Sequence, residues 1–132
     1  MFTTMITPRF GDIDFLGHIN NTVSAQWFEL VRTKTIMKLI DPELKLSKET
    51  FPFILVHTDY DFVSQVYIQQ DVEVKTWISR IGEKSFTVYH EAWQEDRLGI
   101  KGSAVIVYYD FIKKQSLPIP DDLLKLLEKH LQ

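Results

Sequence analysis

The chain has 132 residues, no cysteine and a formal net charge of −3 at pH 7. This length predicts one domain over residues 1–132, and the lack of cysteine excludes disulfides, a thiol nucleophile and a cysteine-based zinc site. No basic segment precedes a long apolar run, and the charge is acidic. We therefore expect a cytoplasmic protein that binds neither membranes nor nucleic acid.

A short strand at residues 2–8 is followed by a loop that carries two carboxylates. Asp12 and Asp14 lie in a segment interrupted by Gly11 and Gly17, and such a segment is typical of neither a strand nor a helix. We expect Gly17 to adopt a positive φ or to bring the turn close to a ligand.

A long helix is predicted over residues 21–40, directly after this loop. Asn20 and Asn21 are both good N-cap residues, and Asp41-Pro42 ends the helix. Apolar residues occupy more than one of its faces, so we expect other elements to cover it on several sides. The positions predicted to be polar and exposed are Gln26, Glu29, Arg32, Thr33 and Lys34.

Four antiparallel strands follow, joined by short turns. The strands are predicted at residues 53–62, 71–80, 85–94 and 100–111, with turns at residues 82–84 and 96–99. Alternation in the first of these strands predicts an apolar face and a polar face. The apolar face consists of Ile54, Val56, Tyr60 and Phe62, and the polar face of His57, Asp59 and Asp61.

A final helix is predicted after Pro118-Ile119-Pro120. The order of elements predicts an α+β fold in which a curled antiparallel five-stranded sheet wraps around one long central helix, with a C-terminal helix added. Such a sheet leaves an edge strand and outward side chains such as Trp77 and Trp93 to be covered. We therefore expect a homodimer or homotetramer.

The residues at the start of the long helix are suited to attack on a carbonyl group. The loop places carboxylates beside free N–H groups at the positive end of the helix dipole. A carbonyl oxygen can rest on such amides while a carboxylate attacks its carbon or activates water. We expect Asp12 to hold the loop by bonding to backbone amides or to Arg9. His18 is either an alternative base, since imidazole titrates near neutrality, or a histidine that orders the loop through a carboxylate.

The run Asp12-Ile13-Asp14-Phe15-Leu16-Gly17-His18-Ile19-Asn20-Asn21, followed by Trp27-Phe28-Glu29 and Arg32, resembles the signature of hotdog-fold acyl-CoA thioesterases of the 4-hydroxybenzoyl-CoA thioesterase type. The resemblance extends over residues 9–32, and the remaining elements agree in order. It implies the hotdog fold, assembly of identical subunits and hydrolysis of an acyl-CoA or acyl-carrier-protein thioester without a cofactor. In one departure, Ser24 stands where many relatives carry Tyr.

The resemblance also implies roles for individual residues. Asp14 corresponds to the carboxylate that acts as nucleophile or general base, and the backbone amide of Asn21 corresponds to the group that polarises the thioester carbonyl. Trp27 and Phe28 are either walls of the acyl pocket or ordinary core aromatics. Glu29 is an alternative candidate for the catalytic carboxylate, because some hotdog enzymes use a glutamate of the helix in that role.

Three further groups of residues are relevant to phosphate binding, an ion pair and a metal site. Coenzyme A needs cations for its phosphates, and the candidates are Arg80, Lys84 and Ser85, with Lys113-Lys114 as a further pair. Glu29 and Arg32 are expected to form an ion pair, within the chain or across a dimer. The polar face with His57 lacks a fourth ligand, so no metal site is expected.

Two other functions remain open. A non-catalytic hotdog module would bind acyl-CoA without releasing a thiol, and an enoyl-thioester hydratase or dehydratase would act on an enoyl thioester.

Overall fold

The structure, a computed structural model, describes residues 1–40 and 51–132. The elements are β1 (Phe2–Ile6), α1 (Asn21–Ile40), β2 (Phe53–Phe62), β3 (Val72–Ile81), β4 (Ser85–Gln94), β5 (Arg97–Asp110), β6 (Gln115–Ser116) and α2 (Asp121–Glu128). Their order is the predicted one, apart from β6. The predicted helix stop at Asp41-Pro42 lies outside the described residues. No helix in the described ranges is long and apolar enough to cross a membrane.

The strands form one antiparallel sheet in the order β1-β3-β4-β5-β2, so β1 and β2 are its edges. This confirms the predicted α+β hotdog class, in which the curled sheet wraps around α1. The short β6 was not predicted, and it pairs with the end of β5 through Tyr109 and Ser116.

Strict alternation explains β3 and β4. Along β4 the side chains of Phe86, Val88 and Ala92 are buried, and those of the odd-numbered positions are half-buried. The same pattern on β3 buries Val72 and Val74. A strand covered by α1 on one face alternates in this way because its side chains point to opposite sides with a period of two residues.

The predicted faces of β2 are wrong in part. A bulge between Leu55 and His57 shifts the pairing register with β5, so the parity of inward positions changes within the strand. Phe53 is buried before the bulge and Val56 is 57% exposed, whereas Tyr60 and Phe62 share one face, as predicted, opposite Gly102 and Ile100 of β5. A sequence gives no direct sign of a bulge, since the extra residue looks like any other in the alternation.

The turn between β4 and β5 lies earlier than predicted. It is formed by Glu95 and Asp96, and Glu95 has a φ of 56°, in the left-handed region. β5 therefore begins at Arg97 and includes Gly99, which was predicted to belong to the turn.

Two clusters of buried apolar side chains attach the helices to the sheet. The first surrounds the first half of α1 and includes Trp27, Phe28 and Val72. The second lies where α2 meets the sheet and includes Phe86 and Leu127. Full burial of a large apolar side chain contributes about 1.5–3 kcal/mol, so the first cluster fixes the start of α1 on the sheet and the second fixes α2.

A polar group lies between these clusters, beneath α1. His90 is 1% exposed, its Nδ1 is 2.8 Å from the Thr76 hydroxyl, and its ring stacks on Phe28 at 4.9 Å. Its Nε2 has no hydrogen-bond partner within the described part of the chain. Burial, and then the positive charge of Arg32, lower the pKa of His90 to about 3, so the ring is neutral at physiological pH.

Arg32 was predicted to lie on the polar face of the helix, and this is wrong. It is buried, and burial lowers the pKa of its guanidinium from the ordinary value. The ion pairs found among the described residues do not include Arg32 with Glu29. The predicted pair within one chain is therefore not observed.

Candidate active site

The acidic loop (residues 9–20) is closed by Asp12. This carboxylate is 2% exposed and accepts hydrogen bonds from the backbone N–H of Arg9 at 2.8 Å and from its guanidinium at 3.1 Å. The carbonyl of Asp12 accepts from the N–H of Asn20 at 2.8 Å. The predicted structural role of Asp12 is thereby confirmed.

Asp14 has a different environment, at the exposed tip of the loop. Its Oδ1 accepts hydrogen bonds from the backbone N–H groups of Leu16 at 2.9 Å and His18 at 3.1 Å. Its own N–H donates to the carbonyl of His18 at 2.7 Å. The carboxylate is therefore held in one orientation, while Oδ2 accepts no hydrogen bond from any described residue.

Gly17 makes this turn possible. Its φ is +78°, a conformation that a residue with a Cβ adopts only with strain. The prediction of a positive φ at this position is confirmed, and the turn returns the chain to the sheet at His18 and Ile19.

The N-cap of α1 is Asn20, one of the two predicted candidates. Its side-chain oxygen accepts hydrogen bonds from the N–H and the hydroxyl of Thr22, each at 3.1 Å. Asn21 is the first helical residue, and its N–H donates to no described acceptor. A bare amide thus lies at the positive end of the helix dipole.

A cleft of about 210 Å³ lies at the start of α1, with Asn21 among its lining residues. It lies between the start of α1, the connection from β2 to β3 and one residue of β5. Its lining consists of Ile19, Asn21, Ser24, Phe62, Val63, Ser64, Gln65, Val66 and Ile100. Asp14 is not part of this lining. Asp14 lies beside the cleft, because the preceding residue, Ile13, pairs with Ile19, which is part of the lining.

A hydrogen-bond network fixes the outer wall of the cleft (residues 62–67). The amide side chain of Gln94 is 2% exposed and bonds both to the N–H of Tyr67 at 2.9 Å and to its carbonyl at 2.6 Å. Arg97 donates to the Ser64 hydroxyl at 2.8 Å and to Gln94 Oε1 at 3.1 Å. The wall in turn holds the loop, since Ile19 N–H donates to the carbonyl of Val66 at 3.0 Å.

Gln94 and Arg97 were not among the residues predicted to form the site. Gln94 could have been recognised from the alternation of β4, because the even-numbered positions of this strand face inward and a polar side chain is unexpected there. His90 is the other polar residue at these positions.

His18 joins the loop to the wall. Its ring meets that of Tyr67 edge-on at 5.6 Å, and its backbone N–H, rather than its ring, bonds to the Asp14 carboxylate. This contact orders the loop.

Trp27 and Phe28 are buried in the first core cluster. They pack behind the cleft and do not contribute to its lining. Their role as walls of an acyl pocket stays a prediction.

The structure does not bring Arg80, Lys84 and Ser85 to the acidic loop. β1 pairs Ile6 with Val72 at the loop end of β3, and Arg80 is eight residues further along that strand, about 26 Å away. Lys84 and Ser85 lie at the hairpin that follows, so this group is at the opposite end of the sheet.

On β2, His57 Nε2 is 3.2 Å from an oxygen of Asp59. The Asp59 carboxylate also accepts from the N–H of Ser103 at 3.2 Å and from its hydroxyl. This carboxylate therefore bonds within the sheet surface.

Comparison with known proteins identifies relatives over most of the chain. A model of the thioesterase-like superfamily matches residues 8–127. The structure of a predicted thioesterase from Bacillus stearothermophilus is 41% identical, with a TM-score of 0.90 over 99% of this chain and 96% of that one. A thioesterase of Thermus thermophilus, solved with coenzyme A and Zn, is similar in fold, with 22% identity and a TM-score of 0.83 over 96% of this chain and 91% of that one.

A curated relative, the uncharacterized protein YsmA of Bacillus subtilis (strain 168), is 26% identical over 89 residues. The alignment spans 67% of this chain and 58% of that protein.

Proposed function

The chain belongs to the thioesterase-like superfamily, and on that premise we propose that it hydrolyses an acyl-coenzyme A thioester to a free acid and coenzyme A. Membership makes it a thioester hydrolase; the acyl-CoA substrate and the roles of individual residues are our proposal. One observation carries it: Asn21, whose N–H donates to no described acceptor, lines a cleft beside the fixed carboxylate of Asp14. The complex of the Thermus thermophilus thioesterase with coenzyme A supports the choice of carrier.

The amide of Asn21 would bind the thioester oxygen. As a tetrahedral intermediate forms, negative charge collects on this oxygen, and an N–H at the positive end of a helix stabilises that charge. Because the amide is part of the helix, it is oriented before the substrate arrives. The interaction is therefore stronger in the transition state than in the ground state, as catalysis requires.

Asp14 would supply the attacking group through Oδ2. In one route Oδ2 bonds to the carbonyl carbon, the C–S bond breaks and the thiolate leaves, after which water hydrolyses the anhydride. In the other route Oδ2 takes a proton from water as the water oxygen attacks the carbon, and the intermediate then expels the thiolate. In both routes the hydrogen bonds of Leu16 and His18 to Oδ1 keep the carboxylate in place.

Identical copies would complete the site, as a dimer or tetramer. Apolar side chains are exposed in the loop and at the cleft, which is typical of an interaction surface. They are Phe15, Leu16, Phe62 and Val63. If Arg80, Lys84 and Ser85 bind the phosphates of coenzyme A, they do so in the site of another copy, since they lie at the far end of their own sheet. The exposed Asp14 would then be enclosed between subunits.

The Asp14→Asn variant tests the proposal. Asparagine keeps an oxygen for the N–H groups of Leu16 and His18, so the loop stays closed, but it can neither attack nor take a proton. We expect thiol release to fall at least about 10³-fold in kcat, with an unchanged thermal transition. The matched control is Asp96→Asn, an exposed aspartate of the β4–β5 turn, which should leave kcat unchanged.

Turnover of Asp14→Asn near that of the wild type would remove Asp14 from the mechanism. Binding of acyl-CoA by the wild type without any release of thiol would instead favour an acyl-CoA-binding module.

A further inference from the structure

The buried amide of Gln94 uses its whole hydrogen-bonding capacity. Its Oε1 accepts from the N–H of Tyr67 at 2.9 Å and from the guanidinium of Arg97 at 3.1 Å. Its Nε2 donates to the carbonyl of Tyr67 at 2.6 Å and to that of Gln70 at 3.0 Å. An amide side chain offers two donors and two acceptor sites, so all four are engaged. Gln94 therefore holds the turn at residues 67–70 from the inner face of the sheet.

Only an amide side chain of this length can make these four bonds. A carboxylate at position 94 would still accept from Tyr67 and Arg97, but it would place negative charge against two carbonyl oxygens. A methionine would leave both carbonyls and the Tyr67 N–H without their partner. The other inward side chains of β4 are mostly apolar, and a glutamine among them is tolerated because its amide is fully bonded.

The turn that Gln94 holds contacts the acidic loop at two adjacent residues. Tyr67 forms an antiparallel bridge with His18, and their rings meet edge-on at 5.6 Å. The carbonyl of Val66 accepts from the N–H of Ile19 at 3.0 Å. On its other side Ile19 pairs with Ile13. Residues 18 and 19 are therefore fixed between the wall and the rest of the loop.

These two residues lie between the two groups that the proposed reaction uses. His18 donates its N–H to Asp14 Oδ1 at 3.1 Å, and its carbonyl accepts from the Asp14 N–H at 2.7 Å. Asn21 follows Ile19 by two residues. A shift of residues 18 and 19 would therefore move the carboxylate relative to the amide, and a displacement of about 1 Å can reduce a rate about 10²-fold.

We propose that Gln94 is a positioning residue for the thioester hydrolysis: through Tyr67 and His18 it sets the place of the Asp14 carboxylate relative to the Asn21 amide. This inference rests on the proposed function. Gln94 is not part of the lining of the cleft, so it acts through these contacts and not on the substrate. All of the contacts lie within one chain and are present whether or not another copy covers the exposed wall.

The first experiment replaces Gln94 by methionine, which is similar in length and lacks the amide. Thiol release is measured with butanoyl-, octanoyl-, hexadecanoyl- and benzoyl-CoA, and the best of these esters is used for all variants. We expect kcat to fall about 10- to 100-fold while KM stays within threefold, because the attacking group is displaced but binding is kept.

The matched control is Thr76→Val. It removes a buried hydroxyl that bonds to His90 and has no bond to the wall, so it should cost stability and leave kcat within threefold. A kcat for Gln94→Met as high as that of Thr76→Val would overturn the inference. So would an equal fall of kcat in both variants, since any loss of a buried hydrogen bond would then have the same effect.

A double-mutant cycle separates positioning from a general structural effect. If Gln94 acts through Asp14, adding Gln94→Met to Asp14→Asn should lower the residual kcat less than threefold, because the group to be positioned is already lost. If the two losses multiply instead, Gln94 does not act through Asp14 and the inference is wrong.

A second variant and a direct measurement cover the case in which Gln94→Met does not fold or the residual rate is too low. Gln94→Glu has the same shape and loses only the two donations from Nε2. In this variant we expect the amide hydrogen of Ile19 to exchange at least tenfold faster by NMR, with the amides of β3 and β4 unchanged and kcat reduced at least tenfold. An unchanged exchange rate at Ile19 would overturn the inference.

Failure of the inference and failure of the proposed function give different results. Wild-type turnover in Asp14→Asn would count against the proposed function. Wild-type turnover in both Gln94 variants, with Asp14→Asn inactive, would overturn the positioning role alone.

Discussion

The two ends of the sheet carry charged side chains in very different ways. At the loop end, where β1 leaves β3, the acidic loop ties Asp12 to Arg9 and fixes Asp14 by two backbone amides. At the hairpin end, between β3 and β4, Arg80 and Lys84 are exposed, and the ion pairs found in the described ranges do not involve them.

This difference separates a built site from a charged surface. At the loop end, the N–H of Asn21 donates to no described acceptor, the Asp14 carboxylate is held in one orientation, and the buried side chain of Gln94 fixes the wall of the cleft. All three features belong to one cleft and its rim. At the hairpin end Arg80 and Lys84 are exposed, and a single exposed charge contributes little to stability or binding. The loop end should therefore respond to conservative substitutions that leave the fold intact, and the hairpin end only weakly.

The largest effect is expected from removing one hydrogen atom at the loop end. Asn21→Pro deletes the N–H that would bind the thioester oxygen, while proline is well accepted at the first position of a helix. The preceding residue is an N-cap, which usually has the extended backbone that proline requires before it. We expect kcat to fall about 10²- to 10³-fold, by steady-state kinetics, because one oxyanion donor is lost.

The control for this substitution is Asn21→Ala, which keeps the N–H and loses only the exposed side chain. It should retain kcat within about threefold, and both variants should have a Tm within about 4 °C of the wild type. If the alanine variant were as slow as the proline variant, the side chain rather than the amide would be responsible.

The next effect separates the two aspartates of the loop by stability. Asp12→Ala leaves Arg9 without its buried acceptor and opens the loop, so we expect a loss of about 2–3 kcal/mol in the free energy of unfolding by denaturant titration. Asp14→Ala is the matched substitution two residues away, and because its donors can bond to water it should cost less than about 1 kcal/mol. Equal losses would show that the loop is held equally by both carboxylates.

The third prediction concerns the region between the two ends. The pKa of His90 is lowered from 6.5 to about 3 in the folded chain, so below pH 6.5 the unfolded chain binds a proton that the folded chain does not. Stability should therefore decrease as pH falls from about 6.5 towards 3, by about 2 kcal/mol between pH 7 and pH 5. Urea titrations at several pH values measure this slope.

His90→Asn provides the control for the acid response, because asparagine does not titrate and can still bond to Thr76. The variant should show a flatter dependence on pH, with a remainder from His130, whose pKa is also lowered by burial. A slope identical to that of the wild type would show that another group binds the proton.

The sequence predicted the loop end better than the faces of the strands. The positive φ of Gly17, the capping by Asn20 and the role of Asp12 follow from local chemistry within a few residues, and all three are confirmed. The bulge in β2 and the burial of Arg32 depend on how distant elements pack, so alternation alone gave the wrong faces there.

The separation of Arg80 from the loop could not be predicted for a related reason. Spacing along the chain does not show that β3 carries its two ends to opposite sides of the molecule; the pairing of Ile6 with Val72 does. Likewise, the part that Gln94 plays in fixing the wall depends on contacts with residues 67 and 70, which are more than twenty positions away.

The smallest effect is expected at the hairpin end, and it tests whether another copy uses that end. If Arg80 binds a phosphate of coenzyme A in a neighbouring subunit, Arg80→Ala should raise KM for an acyl-CoA about two- to fivefold and leave kcat unchanged, because an exposed ion pair with phosphate adds binding without entering the transition state. Lys125→Ala, which removes an exposed lysine of α2, should leave both constants unchanged. With an acyl-pantetheine substrate that lacks these phosphates, the difference between Arg80→Ala and the wild type should disappear. A KM that is unaltered for acyl-CoA would remove the hairpin end from the binding site, and the loop end would then have to hold the whole substrate.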